Sequence, residues 1–361
     1  MNPFNPTFGD VPKIFLDRTK QLDTVIKGLE HETSPYHTTL VYGLRGSGKT
    51  TFLSDISNQM SKKDNWIVIN LAVGEDLLIT LVKLIYERMN NKFHKIFDQL
   101  DWHFELWGIS FNKESQKLES NDARIILEGI LKQLKAKGIK VLVTLDEAQS
   151  TVEVKQFATT YQLMRREKYD IFLIMTGLPS EVSELQNDDI LTFLLRSGRI
   201  TLTPLDAISM KYSYLSAFTK GRRKIDDVVL TKMVRMTAGY AYAFQLLGYL
   251  VWDTEDKLIT DNTLQTILPE YKEMLFRNVY VKVYSSLSPK DKEFIQAMIE
   301  SDEDKVAISK IMAKMDKPKN YISIYRRRLI DDQVIISKER GSVEFTLPYF
   351  ADFVEEFGDM Y

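Results

Sequence analysis

The stretch GLRGSGKT, from Gly43 to Thr50, has the composition and spacing of a phosphate cradle. Gly43, Gly46 and Gly48 let successive backbone N–H groups converge on phosphate oxygens that a Cβ would obstruct. Lys49 would reach the β- and γ-phosphates and the Thr50 hydroxyl would ligate Mg²⁺, with Arg45, Ser47 and Thr51 completing the loop. An apolar strand, TTLVYG, precedes the loop and a helical stretch, TTFLSDISNQM, follows it, so a helix N-terminus faces the anion. The implied ligand is Mg·ATP.

A second chemical element is LDEAQ, at the end of an apolar run. Asp146 is placed to hold Mg²⁺ beside Thr50, and Glu147 to polarise an attacking water. The same pair in isolation reads as a solvated strand end or helix cap; its pairing with the loop upstream is what points to catalysis. Thr176, in IFLIMTGLP, has two readings: a hydroxyl that reports on the γ-phosphate, or a threonine that opens a turn before Gly177 and Pro179. Arg196 and Arg199 sit where a helix gives way to a strand. Arg196 is the candidate for neutralising transition-state charge in a neighbouring subunit, against a surface ion pair. The histidines His31, His37, His94 and His103 share no metal spacing.

These residues need a sheet to hold them. From about 38 to 205, short apolar strands (TTLVYG, WIVINL, KVLVTLDE, IFLIM, RITLTPL) alternate with amphipathic helices such as LLITLVKLIYERM and ARIILEGILKQLKAKG, the latter stopped by Gly138. Strands apolar along their whole length indicate a parallel sheet covered on both faces, an α/β P-loop NTPase core. WHFELWGISF breaks the alternation and reads as a β insertion packed by Trp102 and Trp107. Residues 206–267 read as helical throughout, and 268–287 as a poorly patterned connector. From 288 to 361 the order helix, helix, basic helix, β pair outlines a winged helix-turn-helix. The expected divisions are thus a core over 1–205, a helical lid, the connector, and the C-terminal domain.

Composition excludes some classes. The 44% apolar and 27% charged residues are ordinary for a globular chain, and a net charge of −2 predicts neither nucleic-acid nor membrane binding for the chain as a whole, although a local basic patch can hide in that balance. No run approaches the ~20 apolar residues that span a bilayer. The absence of cysteine removes disulfides and thiolate metal sites. The first residues carry no basic and apolar leader pattern, so a cytoplasmic setting is expected.

The local patch lies at the end. In the helix PKNYISIYRRRLI, Ile322, Tyr325 and Leu329 share one face, which should be buried. Asn320, Ser323 and Arg327 then lie opposite, where a recognition helix meets base edges. Lys319, Arg326 and Arg328 flank that face toward phosphates, and Lys338 and Arg340 stand near the wing tip. A basic face that packs on protein is the alternative.

Taken together, these motifs resemble the AAA+ ATPases, and more narrowly the bacterial and archaeal group related to the origin-recognition initiators. GLRGSGKT and LDEAQ resemble its Walker A and Walker B motifs, TGLP its sensor 1 region, and TAGYAYAFQLLGYLVW its lid helix. LIDDQVIISKERGSVEFTLPYFADFV is similar to its wing and final helix. The resemblance implies that NPFNPTFGDVPKIFLDR lies over the nucleotide base and ends in Arg18. Asp17-Arg18 stands where the family has Gly-Arg, and Gly239-Tyr240-Ala241-Tyr242 has no arginine where initiators often place sensor 2, which implies slow hydrolysis. The expected function is an ATPase switch that couples nucleotide state to duplex DNA binding or assembly, with a homo-oligomer as the candidate assembly. The alternative is a slow signalling or defence ATPase whose C-terminal domain holds a protein partner.

Overall fold

The computed structural model describes residues 1–7, 12, 14, 18–74, 76–97 and 120–361. Among them, five strands form one parallel sheet. After α1 (Thr19–Glu30) come β1 (Thr38–Tyr42), α2 (Lys49–Ser61), β2 (Trp66–Ala72), α3 (Leu77–Phe97), α4 (Ser120–Ala136), β3 (Lys140–Asp146), α5 (Val152–Arg166), β4 (Ile171–Gly177), α6 (Pro179–Gln186) and β5 (Gly198–Thr201). The spatial order is β2-β3-β4-β1-β5. The expected strands all form. Alternate side chains leave β3 on opposite faces: Val141, Val143 and Leu145 pack with α3, α4 and α5, and Leu142 packs with Val41, Ile174 and residues of α1 and α2. Both faces are covered, which is why these strands are apolar throughout. Gly138, at φ +69°, closes the turn after α4 as read from the sequence. The proposed β insertion, with Trp102, His103 and Trp107, and the side chain of His94 lie outside the described residues.

The region from 206 to 267 is mostly helical, in α7 (Ala207–Lys220), α8 (Asp227–Thr237) and α9 (Ala241–Asp253), but not throughout. Two short strands, β6 (Lys224–Ile225) and β7 (Leu258–Ile259), pair in parallel across it. They were invisible as alternation because each has only two residues. The TAGYAY stretch is broken as well: Ala238 and Gly239 take left-handed backbone, which separates α8 from α9.

The expected connector is a correction. Residues 261–285 run as one helical rod: α10 (Asp261–Leu275), a π-helical turn (Phe276–Tyr280) and α11 (Val281–Ser285). Pro269 lies inside α10 and a π turn follows it, so neither the residue types nor the turn size keep the pattern of a plain α-helix. A search for a 3.6 period passes over such a segment.

At the C-terminal end, α12 (Pro289–Ile299), α13 (Ile308–Met315) and α14 (Lys319–Asp331) pack against β9 (Ile335–Ile336), β10 (Ser342–Phe345) and α15 (Phe350–Phe357). Val306–Ala307 adds β8, so the sheet has three strands in the order β8-β10-β9 instead of a pair. One apolar cluster runs unbroken from α7 to α15, and Tyr280 on the rod donates to the Pro348 carbonyl at 2.6 Å. The lid, the rod and the C-terminal segment therefore share a core.

The chain's first residues are stitched to that core. Phe4 is 2% exposed and sits within 5.6–6.4 Å of the rings of Tyr214, Phe218, Phe244 and Trp252. Gly248 makes room for it, since a Cβ there would stand 2.4 Å from the Phe4 ring. Phe4→Ala is expected to cost about 3–5 kcal/mol. Gly248→Ala should also destabilise, despite a helix-propensity gain of about 1 kcal/mol. Thermal melts and proteolysis of the N-terminus check both; a stabilised Gly248→Ala would refute the packing argument.

Candidate nucleotide site and basic C-terminal face

The loop between β1 and α2 lies at the C-terminal end of the sheet, where open α/β sheets hold ligands. Gly46 and Gly48 have φ of +74° and +91°, values that glycine adopts at no steric cost. A Cβ on Gly46 would stand 2.0 Å from the Tyr240 hydroxyl, so glycine is required there twice over.

Four successive residues of the loop, Leu44 to Ser47, are held by three other parts of the chain. Leu44 N–H donates to Gln333 Oε1 at 3.1 Å, and Tyr240 Oη donates to the Arg45 carbonyl at 2.6 Å. Tyr242 N–H donates to the Gly46 carbonyl at 3.1 Å. Arg18 donates to the Ser47 carbonyl at 3.2 Å and to the Thr203 carbonyl at 3.1 Å. Burial lowers the Arg18 guanidinium to about 10, which leaves it charged at neutral pH. Lys49 Nζ donates to the carbonyls of Gly43, at 3.0 Å, and Leu44, at 3.2 Å. Burial pulls the Lys49 ammonium down to about 8, against the opposing pull of Asp146.

The carboxylate end is a compact cluster. Thr50 Oγ1 donates to Asp146 Oδ2 at 2.7 Å, and the Thr176 hydroxyl donates to Asp146 Oδ1. Glu147 N–H lies 3.1 Å from both Asp146 Oδ1 and Thr176 Oγ1. Strand order makes this meeting: β4, carrying Thr176, runs between β1 and β3. Thr176 is fully buried and its hydroxyl is directed at Asp146, an arrangement that neither of its two readings named. Glu147 is exposed with φ +52°, a left-handed conformation that costs a non-glycine residue about 1–3 kcal/mol and is common at functional positions.

A cavity of about 380 Å³ opens above the loop, lined by residues 45–51, Arg18 and Glu147. Of its other walls, the sequence pointed to the N-terminal segment and the lid helix, but not to the segment that carries Asn278. Asn5, Pro6 and Thr7 come from the N-terminal segment, Tyr242 and Gln245 from the lid, and Asn278 and Val279 from the π turn of the rod. Asn278 Nδ2 donates to Tyr242 Oη at 2.7 Å. The available signal for Asn278 was weak, because its chemistry depends on a π turn that widens the helix there.

Arg196 and Arg199 lie elsewhere. Arg196 is exposed before the N-terminal end of β5, at the end of the sheet opposite the loop. Arg199 is exposed too and donates to the Leu195 carbonyl at 3.4 Å.

On α14, Ile322 and Leu329 are buried, Tyr325 is half-buried, and Asn320, Ser323 and Arg327 are exposed, as the helical wheel predicts. The flanking cations are less free than their count suggests. Arg328 pairs at 2.9 Å with Asp291, whose side chain is 2% exposed, and Arg326 donates to Ser337 Oγ at 2.8 Å. Lys338 pairs with Glu344, and Arg327 lies 3.6 Å from Asp331, both exposed. Ile324, on the outward side, is 57% exposed.

Among the described residues no group of three or more His, Asp or Glu side chains could hold a metal by themselves, and no helix is long and apolar enough to cross a membrane.

Residues 15–177 match the family model described as an ATPase domain predominantly from Archaea, and residues 277–354 match a domain of unknown function. No curated protein matches the chain. Among solved structures, the Walker-type ATPase of Pyrococcus abyssi superposes with a TM-score of 0.64 at 16% identity, over 94% of this chain and 96% of that one. The ORC2 protein of Aeropyrum pernix, solved with ADPNP and ADP, gives 0.64 at 12% identity over 98% and 97%. Cdc6p of Pyrobaculum aerophilum gives 0.51 at 13% over 97% and 95%. The chain has the α/β fold of these P-loop ATPase structures, and its residues 15–177 match an ATPase domain.

The lowered Lys49 sets a pH dependence. Phosphate favours the ammonium form, so polyphosphate binding above pH 8 takes up a proton. Affinity for ATP is expected to fall between pH 7 and 9, approaching about tenfold per unit above the pKa. Calorimetry in buffers of different ionisation enthalpy reads the proton uptake directly; a flat profile would contradict it.

Proposed function

We propose that the chain is a slow Mg·ATP-dependent switch, working in the cytoplasm, whose nucleotide state sets the position of a C-terminal winged helix on duplex DNA. What carries the reading is the phosphate loop itself: its backbone is bonded to both the lid and the C-terminal segment, so a change at the loop is felt by both.

In this reading the loop amides and Lys49 hold the β- and γ-phosphates. The oxygens of Thr50 and Asp146, already 2.7 Å apart, are hard donors of the kind Mg²⁺ prefers. Magnesium bound there would neutralise phosphate charge. Glu147, exposed into the cavity, takes up the proton of the attacking water, and Thr176 steadies Asp146 and the Glu147 amide. Asn5 to Thr7, with Arg18 beneath the loop, close the base side of the cavity. Arg196 is too far round the sheet for its own loop, so it would act on the loop of a neighbour in a homo-oligomer. Tyrosines occupy the lid positions where an arginine would clamp the γ-phosphate, which supports slow turnover.

For DNA, Asn320, Ser323 and Arg327 present the outward face of α14, with Arg340 at the strand turn. Arg326 and Arg328, turned to Ser337 and Asp291, brace that face and contribute less to phosphate contact. A second reading, a protein partner, is favoured by the exposed Ile324 among these paired cations.

ATP turnover with and without duplex DNA tests the proposal. Glu147→Gln should keep ATP binding and lose turnover by about 10²-fold or more. Arg327→Ala should weaken DNA binding across sequences and lower its salt slope by about one. DNA-independent turnover, with DNA affinity indifferent to salt and to Arg327→Ala, would favour the protein partner and overturn the DNA reading.

A further inference from the structure

The turn between α14 and β9 places two adjacent residues on the ATPase core. Asp332 lies close to Ser180 at the start of α6, the helix that follows β4 and Thr176, and burial together with Asp291 raises its pKa against the opposing effect of Ser180. Gln333, next to it, accepts the Leu44 amide of the phosphate loop across 289 residues of sequence. Gln333 is held in a left-handed conformation, φ +60°, that few side chains adopt. Its backbone is pinned on both sides: its N–H donates to the Ile330 carbonyl at 2.9 Å, and its carbonyl accepts the Thr346 hydroxyl. The side chain is therefore presented to the loop by a rigid mount. A gap of about 30 Å³, lined by Leu44, Ser47, Tyr240, Gln333 and Thr346 among others, lies along the seam, so the joint itself is not closely packed.

Leu44 is shared. Its carbonyl accepts Lys49 Nζ and its amide is taken by Gln333. A phosphate that draws Lys49 off the carbonyls of Gly43 and Leu44 leaves Gln333 holding residue 44. We propose that Gln333 is a positioning residue for the phosphate loop, supplied by the C-terminal segment, and that its bond to Leu44 links nucleotide occupancy to the docking of that segment. This rests on the loop being the nucleotide site. By linkage, nucleotide must alter the docking as much as the docking alters nucleotide affinity.

The test uses the full chain. Gln333→Asn tolerates the left-handed backbone but is one carbon too short to reach Leu44. It is expected to raise the Kd and KM for ATP about three- to tenfold, the value of one hydrogen bond, with kcat changed less than about twofold. In the wild type, ATP should change hydrogen exchange over residues 320–347; in Gln333→Asn that response should vanish, and Gln333→Glu, which keeps an oxygen at the same reach, should restore it. A merely structural role would leave the nucleotide response intact. Wild-type affinity and response in Gln333→Asn, with Lys49→Ala defective in ATP binding, would overturn the role of Gln333 alone. Normal ATP binding by Lys49→Ala would overturn the site reading and this proposal together.

Discussion

A phosphate loop is a run of backbone whose N–H and C=O groups cannot all be satisfied within the loop, and everything else in this protein is arranged around that constraint. The loop between β1 and α2 resolves it with borrowed partners. Arg18 comes from the N-terminal segment, Tyr240 and Tyr242 from the lid, and Gln333 from beyond α14. Each bond is of ordinary strength, about 1 kcal/mol net. Their consequence is geometric: no one of these segments can shift far without disturbing the loop. The loop is thus a junction as well as a binding surface.

The carboxylate end follows from strand order. Because β4 lies between β1 and β3, the Thr176 hydroxyl reaches one oxygen of Asp146 while Thr50 of the loop helix takes the other. Glu147 is left outside this pairing, with a strained backbone, exposed toward the cavity. Two adjacent carboxylates thereby acquire different surroundings: one held within a network, the other free to meet solvent.

At the far end, charge counting overstated what is available. The sequence shows a cluster of cations in and around α14, yet Arg328 is drawn to a buried aspartate and Arg326 to the wing. These contacts fix the helix against α12 and β9, so part of the cluster builds the face that the remaining polar residues present. The shared core from α7 to α15 means that this face moves with the rod and the lid rather than swinging on a loose tether.

Much was legible from local pattern. The five core strands, the loop with its glycines, the Asp146–Glu147 pair and the buried face of α14 follow from apolar periodicity and from chemistry that needs fixed residue types at short spacing. The rod from 268 to 285 was not, because a π turn and an internal proline disguise its period, and β6, β7 and β8 were not, because two residues carry no alternation. The roles of Gln333, Tyr242 and Asn278 lay beyond any local signal. Sequence alone determined that a phosphate could bind at Gly43–Thr50 and that a carboxylate pair stood ready on a strand of the same sheet, since both depend on neighbours in the chain. Only the tertiary structure decided which segments grip that loop, because those bonds join residues from 29 to 289 positions apart whose proximity comes from packing.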